Sequence, residues 1–490
     1  MASITGSQFT AAGPNGEAIN IVVTANGSVP PAEPGVFNLE VYTGGPPLPA
    51  FAAPGYQGLA YLSDGGQELM LVEGAFSAAD NGTGNDTLIA TGPNETISGG
   101  SSNVTLSVTG NADVVNGGTA GQDTITATGG FDTVNGGGND SITATGSENL
   151  INPGSGNDTI SITGNYDTVA AGSGTDQITL SGNFDSATGG AAGDTITATG
   201  SDDTVVGGPG VEQLSATGNM DVVTAGAGDT VTASGQYDSI GGGSGAETLT
   251  VTGPQDQITA GSGPDSLNAT GNLDAITAGS GADTISVSGT GDSISGGSGT
   301  ETATATGTQD SVTAGSGSDL ITVTGVSDTV GGGSGSDTLE ADGSFDSITG
   351  GSGADTLTAR GTSDTVIGGT DSNTVNITGN SDTYQVGTGS NTVTVSGSSD
   401  TFQAAGTTNG TTATLNLIGN NTTFADGANT YADTVVGFSQ ASGDTIQLND
   451  GHTVASATVV NGGQDTLITL SDSSTILLKG VTNFNDSFIS

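Results

Sequence analysis

From Asp86 to Asp400 an acidic or amide side chain returns almost every nine residues, and a glycine-rich turn returns every eighteen. The clearest copy, Ala278 to Ser295, reads AGSGADTIS and then VSGTGDSIS. A unit this short cannot bury an apolar face by itself. It becomes stable only by stacking on copies of itself, so a period near 18 predicts one solenoid coil per repeat. Within each nine-residue half, position eight is Leu, Ile or Val, and the next half opens with Ala, Val or Gly. Strand alternation then points Ile321 and Val323 inward and Thr322 and Thr324 outward. The expected fold class is all-β: a long parallel β-roll, or β-solenoid, of 18-residue coils.

Stacking creates a charge problem. Coils lie ~4.8 Å apart, and two carboxylates at that distance repel by about 3 kcal/mol at an effective dielectric of ~20. The chain offers little internal relief, with Lys+Arg 2 against Asp+Glu 51 and a formal net charge of -49. Such a chain repels nucleic acid and anionic membranes and attracts cations. High charge with 88 Gly would ordinarily read as disorder. The strict period argues instead for order that depends on a bound cation. With no cysteine, thiolate sites and disulfides are excluded. The remaining ligands are Asp carboxylates and the carbonyls of glycine turns, a hard, flexible oxygen set. That set favours calcium, in multiple copies, over zinc, copper or magnesium.

Three regions are expected. Residues 1–80 form a small N-terminal β module, with candidate strands at Ile19–Thr24, Val36–Tyr42, Leu59–Leu62 and Glu68–Val72; it serves as a cap or as an assembly or anchoring region. Residues 81–405 are the solenoid, and 406–490 a C-terminal β cap. The array has irregularities: Asn103, Asn373 and Asn391 stand for Asp, Glu212, Glu247 and Glu301 lengthen the arm, and Asp140 and Asp229 come one residue early.

AGSGADTIS, GGSGADTLT (Gly350 to Thr358) and PGSGNDTIS (Pro153 to Ser161) resemble the RTX nonapeptide GGxGxDxUx of hemolysin-type calcium-binding proteins. The resemblance implies a parallel β-roll with calcium in its turns. Carried onto matching positions, the ligands are Asp158, Asp176, Asp265, Asp283, Asp319, Asp337 and Asp355, with Asp86, Asp123, Asp140, Asp194 and Asp229 in less regular turns. Turn backbone would come from Gly154 and Gly156, Gly172 and Gly174, Gly261 and Gly263, and Gly279 and Gly281. Gly315 and Gly317, Gly333 and Gly335, and Gly351 and Gly353 complete that set. The second half, TGxxD, departs from the pattern. Its aspartates (Asp167, Asp185, Asp256, Asp274, Asp310, Asp328, Asp346 and Asp364) are either weaker calcium sites or acceptors for their own turns. Asp433 to Leu448 (DTVVGFSQASGDTIQL) and the final DSFIS resemble the closing segments of RTX proteins exported by type I secretion. That likeness implies export from a Gram-negative cell without a cleaved leader, consistent with a start, MASITGSQFTAAG, unlike a Sec signal. Folding would follow where calcium is abundant.

No enzymatic function is expected. The single histidine, His452 in NDGHTV, reads as a solvated turn residue, and the two basic side chains, Arg360 and Lys479, cannot build an anion site. Outward threonine ranks, as at Thr356 and Thr358, resemble the ice-binding faces of some calcium-dependent adhesins, but Gln177, Gln213, Leu320, Glu340, Asp342 and Arg360 interrupt them. The function expected is a secreted calcium-binding structural protein that self-assembles into a surface layer or biofilm matrix. Its contacts would run through the N-terminal module and the solenoid ends, or through calcium to cell-surface polysaccharide, with no nucleic acid and no membrane insertion. The alternative is a calcium-dependent adhesin, including an ice-binding one.

Overall fold

The computed structural model describes strands at 7–12, 18–24, 37–43, 58–62, 69–73 and 77–80, and residues 84–404, 412–427, 430–449 and 451–489. The chain divides into two compact units, 1–243 and 244–490. Each is a β-solenoid.

In the first unit most coils contribute one five-residue strand and one three-residue strand, as in Thr159–Thr163 followed by Thr168–Ala170; in two coils the second strand is also five residues long, Thr133–Gly137 and Leu150–Gly154. Each strand pairs in parallel and in register with its copy in the next coil. Ile160 lies beside Ile178 and Ile178 beside Ile196, while Val169 stacks on Ala187 and Ala187 on Val205. Alternation is strict: Ile160 and Ile162 are buried between exposed Thr159, Ser161 and Thr163. The core is therefore a set of columns of Ile, Leu, Val and Ala, two residues wide on the long strand and one on the short. The N-terminal strands join the same sheets. Ala18–Thr24, Phe37–Thr43, Gly58–Leu62, Ser77–Asp80 and Thr96–Ser98 pair in parallel in succession, and Leu69–Glu73 lies on Thr87–Thr91. Ser7–Ala12 covers Ala18–Thr24 as an antiparallel partner, which protects an edge that would otherwise invite pairing.

The second unit follows the same plan, with Ile321 and Val323 buried as alternation requires. Parallel stacking continues beyond residue 405, through Thr412–Leu417, Thr423–Ala425, Ala432–Val436 and Thr445–Gln447. Here the core takes larger side chains. Tyr384, Phe402 and Phe424 form an inward column with ring centroids 5.7 and 5.1 Å apart. An antiparallel meander of Val454–Val460, Asp465–Leu470 and Thr475–Lys479 follows, its last strand parallel to Ala432–Val436.

His452 corrects the sequence reading. It is not a solvated turn residue: its side chain is 15% exposed, and Nδ1 sits 2.5 Å from Oδ2 of fully buried Asp426. Asp426 Oδ1 in turn accepts the Tyr431 hydroxyl at 2.8 Å. The imidazole fastens the start of the meander to the last coils. The two basic side chains are also engaged, Arg360 with Glu340 and Lys479 with Asp465.

One backbone feature was unexpected. The residue just before each TGxxD aspartate adopts a left-handed conformation even when it is bulky. Phe131, Tyr166, Phe184, Met220 and Tyr237 all have φ of 62°. Between these lie Glu148 at 63° and Asp202 at 61°. The five apolar side chains stand in solvent, each close to half exposed or more.

Candidate metal centre

The aspartates form two columns in each unit, one at each edge where a coil turns. All twelve predicted GGxGxD ligands are buried. Each holds its place through the neighbouring coil. Oδ1 of Asp158 accepts the Asp140 N–H at 2.6 Å, Asp176 accepts that of Asp158 at 2.8 Å, and Asp337 that of Asp319 at 2.9 Å. At the other edge, Asp185 accepts the Asp167 N–H and Asp364 the Asp346 N–H. The recurring acid is thus a splice between coils, a role that no single repeat reveals. This corrects the reading of the TGxxD aspartates as acceptors for their own turns, since their bonds cross to the coil before. It also shifts one position: Val104, not Asn103, occupies the aspartate place, because the Val104 N–H is the one bonded to Asp123. Asp86 is buried at the start of the column, its carbonyl accepting the Thr105 N–H.

The second oxygen separates the turns into kinds. In the full turns, Oδ2 of Asp158, Asp176, Asp265, Asp283, Asp319, Asp337 and Asp355 is buried without a hydrogen-bond partner, as is that of Asp123. In the irregular turns a backbone donor supplies it: Gly137 N–H reaches Asp140 Oδ2, Gly190 N–H reaches Asp194, and Gly226 N–H reaches Asp229.

Asn373 shows what surrounds that oxygen. It occupies the aspartate position of the next coil, with Oδ1 accepting the Asp355 N–H at 2.8 Å. Its Nδ2, where an aspartate would have Oδ2, donates to the carbonyls of Gly368 at 2.5 Å and Thr370 at 3.4 Å. Asn391 likewise donates to Thr388 O. The turn therefore aims carbonyl oxygens at this atom. In the aspartate coils an acceptor, Oδ2, takes the place of that donor, and a β-carbon added at Gly350 would lie 2.7 Å from Asp355 Oδ2 and 2.5 Å from Gly368 O. The glycines that shape the turn have little freedom to change. Gly351 and Gly353 sit at φ of 89° and 118°, and a β-carbon on Gly353 would come within 1.4 Å of Gly335 O.

Burial governs the electrostatics. It raises the carboxyls of Asp123, Asp158, Asp176 and Asp355 to about 6, and that of Asp265 to about 7 with Glu247 beside it adding to the shift. Burial and then neighbouring Asp319 lift Glu301 to about 8. At the TGxxD edge burial again dominates, taking Asp346 and Asp382 to about 6. There a second N–H opposes it. The N–H of the left-handed residue before each aspartate lies near the next coil's carboxylate and lowers it, Phe345 for Asp364 and Ser363 for Asp382, while its hydrogen bond goes to a carbonyl of that coil, Thr362 O and Asn380 O, each at 3.0 Å.

The donors at the GGxGxD edge fit a hard divalent cation: all are oxygen, buried, and short of a positive partner. Among the described residues, no three Asp, Glu or His side chains gather as a metal-holding group. Such an ion would therefore draw much of its coordination from the turn carbonyls. Asp158, Asp176, Asp265, Asp283, Asp319, Asp337 and Asp355 would hold it, and it would supply the charge that the columns lack.

A family model described as the RTX calcium-binding nonapeptide repeat matches residues 90–119, 117–138, 136–160, 181–211, 188–223, 255–285, 295–330 and 331–366. No curated protein and no solved structure matches the chain. The matched stretches cover both turn edges in each unit, so the coils described above are the repeats of that family, and the chain is an RTX-repeat protein.

Proposed function

We propose that this protein is a secreted, non-enzymatic structural protein whose coils fold on calcium and then assemble into a surface layer or extracellular matrix. The observation that carries the calcium step is Asn373. Its amide nitrogen satisfies the carbonyls that, in the aspartate coils, face a carboxylate oxygen instead. A cation between those oxygens turns a repulsive contact into an attractive one. Several such ions, one for each full GGxGxD turn, would make folding conditional on calcium. Among the described residues no helix is long and apolar enough to cross a membrane, and RTX-repeat proteins are typically secreted. The extracellular and assembly readings rest on that family habit and on the acidic composition.

Circular dichroism and electron microscopy test the two parts. Millimolar calcium is expected to convert a coil spectrum to a β spectrum, reversed by chelator; a spectrum unchanged in EDTA would end the calcium reading. Calcium-loaded protein is expected to form a lattice or filaments on the grid, and dispersed particles at high concentration would end the assembly reading. The second reading, an adhesin, draws support from the exposed aromatic column of the first unit.

A further inference from the structure

That column has a cost and no internal return. Left-handed backbone disfavours bulky residues by ~1–2 kcal/mol each, and an outlier of this kind points toward function when packing does not explain it. Phe131, Tyr166, Phe184, Met220 and Tyr237 are 58, 55, 47, 51 and 53% exposed, so packing does not explain them. At the same place in the second unit Leu273 and Phe345 stand exposed singly, without an apolar residue in the next coil, while Ser327, Ser363, Ser381 and Ser399 adopt this conformation with small polar side chains. The scaffold itself does not require aromatics.

The order along the column is Phe131, Glu148, Tyr166, Phe184, Asp202, Met220, Tyr237. Tyr166 and Phe184 stack on each other, with centroids 4.9 Å apart and planes 4° from parallel. The next positions of the column on either side are carboxylate residues, Glu148 before Tyr166 and Asp202 after Phe184. On the Glu148 side a cleft of about 400 Å³ is lined by Glu148, Asn149, Leu150, Tyr166 and Thr168. A ring face beside a carboxylate suits a guanidinium, which stacks on aromatic faces and pairs with carboxylates. Glu148 and Asp202 are three coils apart, about 14 Å at ~4.8 Å per coil, close to the span of four residues of extended chain.

From this arrangement we infer that the Glu148–Asp202 edge binds an extended, arginine-bearing segment of another protein, with two arginines four residues apart flanking the Tyr166–Phe184 stack. Charge decides against a second copy of this chain. Its two basic side chains are Arg360 and Lys479, and both are held in ion pairs. The partner must bring the positive charge. The inference deepens the adhesin reading and does not depend on lattice formation.

The test is calorimetric titration of the calcium-loaded full chain with a nonapeptide carrying arginine at positions 3 and 7 and glycine or serine elsewhere. The same peptide with citrulline is the neutral control. Binding is expected for the arginine peptide and at least tenfold weaker for the citrulline one. Tyr166→Ser, and separately Glu148→Gln with Asp202→Asn, should each weaken it at least tenfold. Phe345→Ser, in the second unit, should leave it unchanged. Equal binding by Tyr166→Ser, no binding to the wild type, or displacement of the peptide by neutral cellohexaose would overturn the proposal. Dichroism of each variant in calcium confirms that it is folded, so loss of binding is separable from a failure of the calcium-folding step.

Discussion

Within the second unit, the edge holding Asp337 and Asp355 and the edge holding Asp346 and Asp364 start from the same device and finish it differently. In both, Oδ1 accepts the N–H of the preceding coil's aspartate. In both, Oδ2 is buried without a hydrogen-bond partner. What differs is the turn. At the TGxxD edge the N–H of a left-handed residue such as Phe345 lies close enough to the next carboxylate to lower it, while donating to the Thr362 carbonyl. At the GGSGxD edge glycines invert the backbone, and the neighbouring Asn373 coil shows carbonyls converging where the extra N–H would be. One edge moderates its charge with backbone donors, and the other presents acceptors and needs a cation. The difference lies in peptide orientation and not in the acid itself.

The largest expected effect erases both edges together. Folded-state values near 6 for Asp346, Asp355 and Asp382, and near 7 for Asp265, lie above those of the same groups in an unfolded chain. The folded chain without calcium therefore binds protons that the unfolded chain has released. Its stability is fullest near pH 4 and falls as pH rises through about 6 to 7. Chelated protein that is unfolded at pH 7.5 should regain β dichroism on acidification toward pH 4.5, with no metal added. A metal-free chain that becomes less ordered on acidification would show that buried carboxylates do not set its folding.

A smaller effect separates the edges. Asparagine keeps the inter-coil bond, as Asn149 and Asn373 already do in accepting the N–H of Asp132 and Asp355. Substitution by Asn therefore changes charge while leaving the splice intact. Asp337→Asn with Asp355→Asn should reduce the number of calcium ions bound in calorimetry. Asp346→Asn with Asp364→Asn should leave that number unchanged. Without calcium both pairs should stabilise the fold, by about 1 kcal/mol per site once solvent screening is allowed for. Equal calcium loss from both pairs would show that the TGxxD edge is a metal edge too, and the asymmetry would fall.

Much of this was legible in the sequence, for reasons that can be located. The 18-residue period, the inward Ile321 and Val323, and the division of the aspartates into two columns follow from spacing and alternation, which are local and repeated many times. The splice was not legible, because the Asp158 to Asp140 bond joins residues 18 apart and exists only when coils stack. The left-handed aromatics were hidden because Phe and Tyr seldom adopt positive φ, so TGNYD reads like any other turn. Asn373 stood in plain view and was read as an irregularity. Its meaning lies in the carbonyls that its amide contacts. His452 was misplaced because its partner, Asp426, is 26 residues away and buried, with no repeat to announce it.

The smallest expected effect falls on the first glycine of the full turn. Some coils place alanine there, including Ala278 and Ala314, both buried with no disturbance of the stack. Others, such as the Asp355 coil, keep Gly350. Since a β-carbon on Gly350 would lie 2.7 Å from Asp355 Oδ2 and 2.5 Å from Gly368 O, a methyl would enter the space where those oxygens converge. The Ala278 and Ala314 coils show that the backbone can accommodate it. Gly350→Ala should therefore keep the calcium-loaded β spectrum, with a slightly lowered melting temperature because the Gly368 carbonyl, 2.5 Å from the new carbon, must shift. It should weaken the local ion by a few-fold, seen as one site in the titration moving to lower affinity. A site of unchanged affinity would place the cation away from the first glycine, toward the carbonyl of the third residue in the turn, whose counterpart Thr370 O also receives the Asn373 amide.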